Sequence, residues 1–395
     1  MDKKSVLIFG VGELQKSIIE RAKLMGLLVV GIDPRADAVC KDAVDAFEVV
    51  GGQDYEGTLA VAKKYNVSAV VTAATDKPLV MMACVAKELG LRFYSEETAV
   101  WSTDKFQMKQ RFIEGGIPCA KGSLISKVDE ASDFYFPVIA KPRDNSGSRG
   151  VILCRNVEEL SDSINEALQY SKLETILVEE FIEGQEYSIE ALHYDGKSEV
   201  IQFTEKTTTE FPYNVELGHK QPANLSEEQK DNIRQLISKI ADCMHFGNCA
   251  SHTELKINDR GIFIIETSPR LGGEYITSTL VPLSTGINIE DQLLNIALGN
   301  EVVTQTGRVQ KASAVCFFNF PEGEVKYINP EIYKIKTEDN VFSLDLKLAV
   351  GDKVNKITSS LDRYGQVIFC ADAIEQINYL VNDYSVSLSK MIDVI

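Results

Sequence analysis

Hydrophobic positions along the first hundred residues come in short runs separated by amphipathic stretches. Residues 5–9 form an apolar run that ends at Gly10-Val11-Gly12. A helical period follows over 13–25, then a second apolar run at 27–32 closing on Asp33. The same alternation predicts a helix over 55–65, a strand over 69–72 and a helix over 78–89. Strands alternating with helices predict βαβ units and a parallel sheet.

Beyond residue 100 the pattern changes. Ser102 or Thr103 is placed to cap a helix that stops at Gly115-Gly116. An apolar strand then carries Lys141, a Ser/Gly-rich loop follows, and a second strand covers 151–154. A helix over 157–170 leads to the apolar strand 176–178, which ends in acids. The polar stretch 204–225 is long enough to suggest a functional loop. Ser226 with Gln229 opens a helix running to about His245 by a capping box. Two strands joined by Asn258-Asp259-Arg260-Gly261 predict a hairpin over 252–275. The tail predicts strands over 312–318, 341–348 and 366–370 and a closing helix over 373–382.

Composition narrows the classes. The 395 residues are 44% hydrophobic and 25% charged, as in an ordinary globular protein. No apolar run reaches the ~18–20 residues of a membrane span. The opening residues do not read as a signal peptide, which points to the cytoplasm. A net charge of −17 argues against a nucleic-acid partner, though a local basic cleft can persist in an acidic protein. The 8 cysteines form no Cys-x-x-Cys and read as buried, reduced thiols. The 4 histidines show no zinc pattern.

Candidate chemistry sits in four places. Gly10-x-Gly12 with Asp33 suggests a dinucleotide site, but Gln15 stands where the third glycine belongs, so a tight strand-to-helix turn is the simpler reading. A lysine on an apolar strand, as at Lys141, needs an anion. The small residues of the loop 146–150 let backbone N–H groups wrap a phosphate. The acids after strand 176–178 suit either ribose hydroxyls or a solvated surface loop. Glu254 and Glu266 fall close together when the hairpin folds; two adjacent carboxylates need compensation, and Mg²⁺ with phosphate oxygens supplies it. Arg270 offers a fixed, forked cation for phosphate or carboxylate.

Lys105, Lys141, the 146–150 loop, Val178-Glu179-Glu180-Phe181-Ile182 with Glu186, and Glu254…Glu266-x-Ser268-Pro269-Arg270 occur in the order seen in ATP-grasp ligases. The chain resembles that superfamily over 1–300 at least. The resemblance implies an α/β and α+β architecture: a Rossmann-like domain over 1–100, an ATP-grasp domain over 101–300 with a lid at about 120–185, and a small C-terminal α+β domain over 301–395. It implies ATP and Mg²⁺, with Mn²⁺ as a substitute. Lys105, Lys141, Ser146, Gly147, Ser148 and Gly150 would hold ATP phosphates. Glu179, Glu180, Phe181 and Ile182 would face adenine, and Glu186 the ribose. Glu254, Glu266 and Ser268 would bind metal; the family usually has Asn at the last position. Lys141 and Arg270 would serve catalysis.

Arg270-Leu271-Gly272-Gly273 with Glu216-Leu217-Gly218-His219 looks most like L-amino-acid ligases. By that likeness Glu216, His219, Arg270 and Gly273 line a substrate pocket, and a carboxylate and an amine, amino acids among them, are joined through an acyl phosphate. Phosphoribosylamine–glycine ligase, carbamoyl-phosphate-synthetase-like and biotin-carboxylase-like activities are the alternatives, followed by a non-catalytic ATP-binding relative. A homodimer is compatible with the family. No catalytic residue is expected in 301–395.

Overall fold

The computed structural model describes residues 3–131, 134–305 and 307–395. The chain begins with a parallel four-stranded sheet of β1 (Ser5–Phe9), β2 (Leu28–Asp33), β3 (Ala46–Val49) and β4 (Ala69–Val71), in the order β3-β2-β1-β4. Helices α1 (Lys16–Leu24), α2 (Tyr55–Lys64) and α3 (Leu79–Leu89) connect or follow these strands. Runs such as Val6-Leu7-Ile8 are buried on both faces, as a covered parallel sheet requires. The apolar pattern left β3 unpredicted; it is an edge strand and only half-buried.

The Gly10 turn is filled by its own chain. Gln15 Oε1 accepts from the Gly12 N–H at 3.2 Å, and Gln15 Nε2 donates to the Ala73 carbonyl at 2.7 Å. Asp33 accepts from the backbone N–H groups of Val11 and Arg35. The glutamine occupies the turn a pyrophosphate would need, which supports reading it as a plain tight turn. This is also why the predicted 13–25 helix starts late: residues 13–15 form a 3₁₀ turn before α1.

Next come α4 (Glu96–Thr103) and α5 (Lys105–Glu114). The expected cap at Ser102 or Thr103 is corrected. Both belong to α4, and Asp104 caps α5 by accepting from the N–H groups of Phe106 and Gln107. A four-stranded antiparallel sheet follows, built from β5 (Gly122–Ile125), β6 (Val138–Pro142), β7 (Ile152–Cys154) and β8 (Ile176–Glu180) in the order β5-β8-β6-β7. Helix α6 (Val157–Gln169) packs on it around Leu160, Ile164 and Ala167.

The largest sheet takes β9 (Gln185–Tyr194), β10 (Lys197–Thr208), β11 (Glu216–Gln221), β12 (Cys249–Asn258) and β13 (Gly261–Ser268), with α7 (Glu227–Cys243) against it. After α8 (Val281–Thr285) and α9 (Ile289–Leu298) come β14 (Ala312–Phe317), β15 (Gly323–Ile328), β16 (Val341–Leu346), β17 (Lys353–Val354), β18 (Gly365–Ala371), α10 (Ile374–Met391) and β19 (Ile392–Val394). Strands β14, β18 and β16 extend the large sheet, whose order is β13-β12-β9-β10-β11-β14-β18-β16. The closing helix is longer than the predicted 373–382.

The predicted loop 204–225 is corrected: half of it is strand. Residues 204–208 continue β10, and β11 pairs back on it with Lys206 opposite His219. Polar side chains on this strand gave a loop-like pattern because one of its faces lines a charged interior rather than an apolar core.

Candidate active site

A cleft of about 830 Å³ lies between the large sheet and the β5–β8 sheet. Its floor is set by register. Glu254 on β12 stands directly opposite Glu266 on β13 and opposite Ser188 on β9. Period-two alternation puts Glu186, Ser188 and Glu190 on one face of β9, and His252, Glu254 and Lys256 on the matching face of β12.

These carboxylates are held by lysines. Lys206 is 3% exposed and reaches Glu186 at 2.6 Å, Glu254 at 2.7 Å and Glu216 at 3.3 Å. Burial disfavours its charge, but the three glutamates outweigh that and push its pKa well up. Glu254 is held well below the ordinary carboxylate range: burial opposes this, and Lys206 and His252 overcome it. Glu216 goes the other way, pushed up to about 7 by burial and by the nearby Glu274. Glu266 pairs with Lys105, the first residue of α5. The Lys105 N–H donates to the Arg143 carbonyl at 2.8 Å, tying α5 to the end of β6.

The roof carries a second charge group. Lys141 on β6 and Lys109 on α5 both approach Glu179 on β8, and all three are buried. Lys109 lies 2.9 Å from Glu179 Oε2 without the alignment of a hydrogen bond. Burial together with the neighbouring Lys109 and Lys105 lowers the Lys141 pKa, against the pull of Glu179. The loop joining β6 to β7 turns through left-handed backbone at Gly147, Ser148 and Gly150 (φ +71°, +56° and +72°). Ser146, Gly147, Ser148 and Arg149 line the cleft with Phe181, Ile182 and Phe211.

Among the expected residues, Lys105, Lys141, Ser146, Gly147, Ser148, Glu179, Glu180, Phe181, Ile182, Glu186, Glu216, Glu254 and Glu266 converge on this one cleft. Gly150, Ser268, Arg270, His219 and Gly273 do not line it. Arg270 forks onto Asp76, with Nε 2.9 Å from Oδ1 and Nη2 3.1 Å from Oδ2. The Ser268 hydroxyl donates to the same carboxylate at 2.6 Å, so a metal role for Ser268 would first require that bond to break. Burial would raise the Asp76 pKa, but Arg270 and Ser268 bring it down to about 2. Gly273 lines a second cleft of about 870 Å³ with Glu13, Lys16 and Glu274.

Lys109, Glu274 and Arg363 escaped sequence reasoning in any role, and Asp76 escaped it as the partner of Arg270. Lys109 had a local signal, since it follows Lys105 by one helical turn. Glu274 accepts from His219 Nε2 at 2.8 Å and from Arg363 Nη2 at 2.6 Å. Arg363 lies 3.7 Å from the Phe317 ring centre and also donates to the Glu216 carbonyl. It brings the 301–395 segment, from which no catalytic residue was expected, to the edge of the site. Burial depresses the His219 pKa despite Glu274.

The two carboxylates fit Mg²⁺. That ion takes one or two carboxylates and completes its shell with phosphate oxygens and water. Glu254 and Glu266 are juxtaposed, each is already compensated by a cation, and the Ser/Gly loop stands across the same cleft. Among the described residues no group of three or more His, Cys, Asp or Glu could hold a metal by itself, so phosphate oxygens would have to complete the shell. All 8 cysteines are unpaired, and no described helix is long and apolar enough to cross a membrane.

Residues 134–278 match the ATP-grasp domain family. An alanine–anticapsin ligase of Bacillus amyloliquefaciens is 25% identical over 284 residues, 65% of this chain and 59% of that enzyme. The L-amino acid ligase of Bacillus licheniformis superposes with a TM-score of 0.84 at 19% identity, covering 100% of this chain and 98% of the other. The biotin carboxylase domain of the Hydrogenobacter thermophilus 2-oxoglutarate carboxylase, solved with MgADP and bicarbonate, gives 0.74 at 21% identity, covering 99% and 90%.

Proposed function

We propose that this chain, whose residues 134–278 match the ATP-grasp domain family, is a Mg-ATP-dependent carboxylate–amine ligase, with an amino acid as the carboxylate. The observation that carries this is the one cleft lined together by Glu254, Glu266, the loop residues Ser146 to Arg149, Lys105 and Lys141. The likeness to the alanine–anticapsin and L-amino acid ligases supports the substrate class.

In this reading Lys105 and Lys141 bind phosphate oxygens, exchanging their present carboxylate partners for the nucleotide. The 146–150 loop closes over the β- and γ-phosphates. Glu180, Phe181 and Ile182 border adenine, and Glu186 receives the ribose hydroxyls. Glu254 and Glu266 hold Mg²⁺, which when bound neutralises charge on the β- and γ-phosphates. The substrate carboxylate attacks the γ-phosphorus in line and ADP leaves; an amine then attacks the acyl carbon, giving the amide, phosphate and a proton. Arg270, paired with Asp76 in this structure, would exchange that carboxylate for the anionic acid. Loop closure keeps water from the acyl phosphate. Glu216 and Glu274, acids at the sheet end, suit the ammonium group of an amino acid.

A phosphate-release screen over amino acids and small carboxylates with Mg-ATP tests the reading, with the condensed product identified by mass. Amide formation with at least one pair supports it. Nucleotide binding with no turnover for any pair would favour a non-catalytic relative. Glu266→Gln should abolish turnover and leave the circular dichroism spectrum unchanged; turnover at the wild-type rate would refute the metal assignment. Bicarbonate belongs in the same screen, since the likeness to a biotin carboxylase domain supports a second reading with bicarbonate as the activated acid.

A further inference from the structure

His252 and Glu190 form a buried pair that the reaction above does not use. They stand directly opposite each other on β12 and β9, and His252 is also opposite Ser268 on β13. Glu190 is fully buried. His252 Nδ1 lies 2.5 Å from Glu190 Oε1, and Nε2 lies 3.5 Å from Glu254 Oε1. The ring therefore fills the space between a sealed carboxylate and one of the two proposed metal carboxylates. Among the described residues, His252 is the only side chain hydrogen-bonded to Glu190.

The other Glu190 oxygen accepts from the Gly272 N–H at 3.3 Å. Gly272 packs so closely over the pair that a Cβ there would lie 2.7 Å from His252 Nδ1 and 2.9 Å from Glu190 Oε1. This explains a glycine at 272 without any demand from backbone angles. A continuous chain of contacts thus runs from the Arg270–Gly273 segment through Glu190 and His252 to Glu254.

We infer that His252 and Glu190 are positioning residues that fix the Glu254 carboxylate for Mg²⁺ and couple it to the Arg270–Gly273 segment. This rests on Glu254 being a metal ligand, as proposed above. A carboxylate–histidine support of this kind orients a ligand by removing its rotational freedom, and loss of such outer partners costs about 10–100-fold in metal affinity.

The test is Mg²⁺-dependent binding of AMP-PNP, followed by calorimetry, for wild type, His252→Gln, Glu190→Gln and the double variant. The Mg²⁺ concentration at half effect should rise about tenfold in each single variant. The double variant should rise no further than the larger single, because the residues act as one unit. Melting temperature is recorded alongside. A lowered melting temperature with an unchanged Mg²⁺ midpoint in both singles would make the pair merely structural and overturn the inference. Glu190→Gln is isosteric and carries the test if His252→Gln does not fold. Absence of Mg²⁺-dependent binding in the wild type would instead refute the metal site on which the inference stands.

Discussion

Glu290 shows how a single side chain away from the cleft can carry a pH dependence. It is 1% exposed, accepts from the Ser17 hydroxyl at 2.5 Å and sits beside Asp291. Burial, aided by Asp291, pushes its pKa up to about 7 from an ordinary 4.5. A folded-state pKa above the unfolded one means that its contribution is complete below pH ~4.5 and is lost as pH rises through 7. Glu290→Gln should therefore stabilise the protein at pH 8.5 by up to about 3 kcal/mol and change little at pH 4.5. Urea unfolding at the two pH values measures this; equal effects at both would mean that Glu290 is not buried as a proton-bearing acid. Arg270 and Asp76 teach a different lesson at the same scale. The arginine was legible from its place after Glu266, but its partner was not. Asp76 lies at the end of another sheet, and no local pattern joins residues so far apart in the chain.

Strand β10 is the element where sequence and structure diverge most. The length of the polar stretch from residue 204 suggested a functional loop. The strand instead places Lys206 among Glu186, Glu216 and Glu254, where buried charges replace a hydrophobic face. The β12–β13 hairpin was legible for the opposite reason: an Asn/Asp/Gly turn fixes register, and register alone brings Glu254 to Glu266. Removing the central cation should expose the stress in the strand. Lys206→Met leaves three buried carboxylates facing one another, a loss of about 3–5 kcal/mol near pH 8. Their pKa values would rise, so the folded state gains protons and the deficit shrinks as pH falls below 7, the region where Glu216 already titrates. Chemical denaturation of the variant across pH 5–8 checks this; a deficit that does not vary with pH would mean that Lys206 acts by packing.

At the scale of the whole molecule, the cleft is built from two sheets that share no strand. The floor comes from β9–β13 and the roof from β6, β8 and their loop, with α5 touching both through Lys105 and Lys109. Closure therefore has a natural moving part, the 146–150 loop, whose Arg149 bonds, among the described residues, only to its neighbours, the Ser146 carbonyl and Asn145. Mg-AMP-PNP should slow amide hydrogen exchange across Ser146–Gly150 well beyond any change in α6, measured by mass spectrometry. Uniform protection of the whole β5–β8 sheet would point to movement of that sheet as a body. The alternating strands and helices of the first hundred residues, and the order of the charged motifs, were readable because they are local. The approach of Arg363 to Glu274 was not, because it depends on how β14 and β18 extend the large sheet.

That extension has a consequence for how the chain can be divided. Strands β11 and β14 are hydrogen-bonded neighbours, with His219 opposite Val315 and Lys220 opposite Ala314. The backbone that presents Glu216 and His219 is thus completed by residues from beyond position 300. A protein shortened at that point would expose the outer edge of β11 as a row of unpaired N–H and C=O groups. Such an edge invites pairing with another chain. The tail covers an edge of the site's sheet that would otherwise be open to self-association.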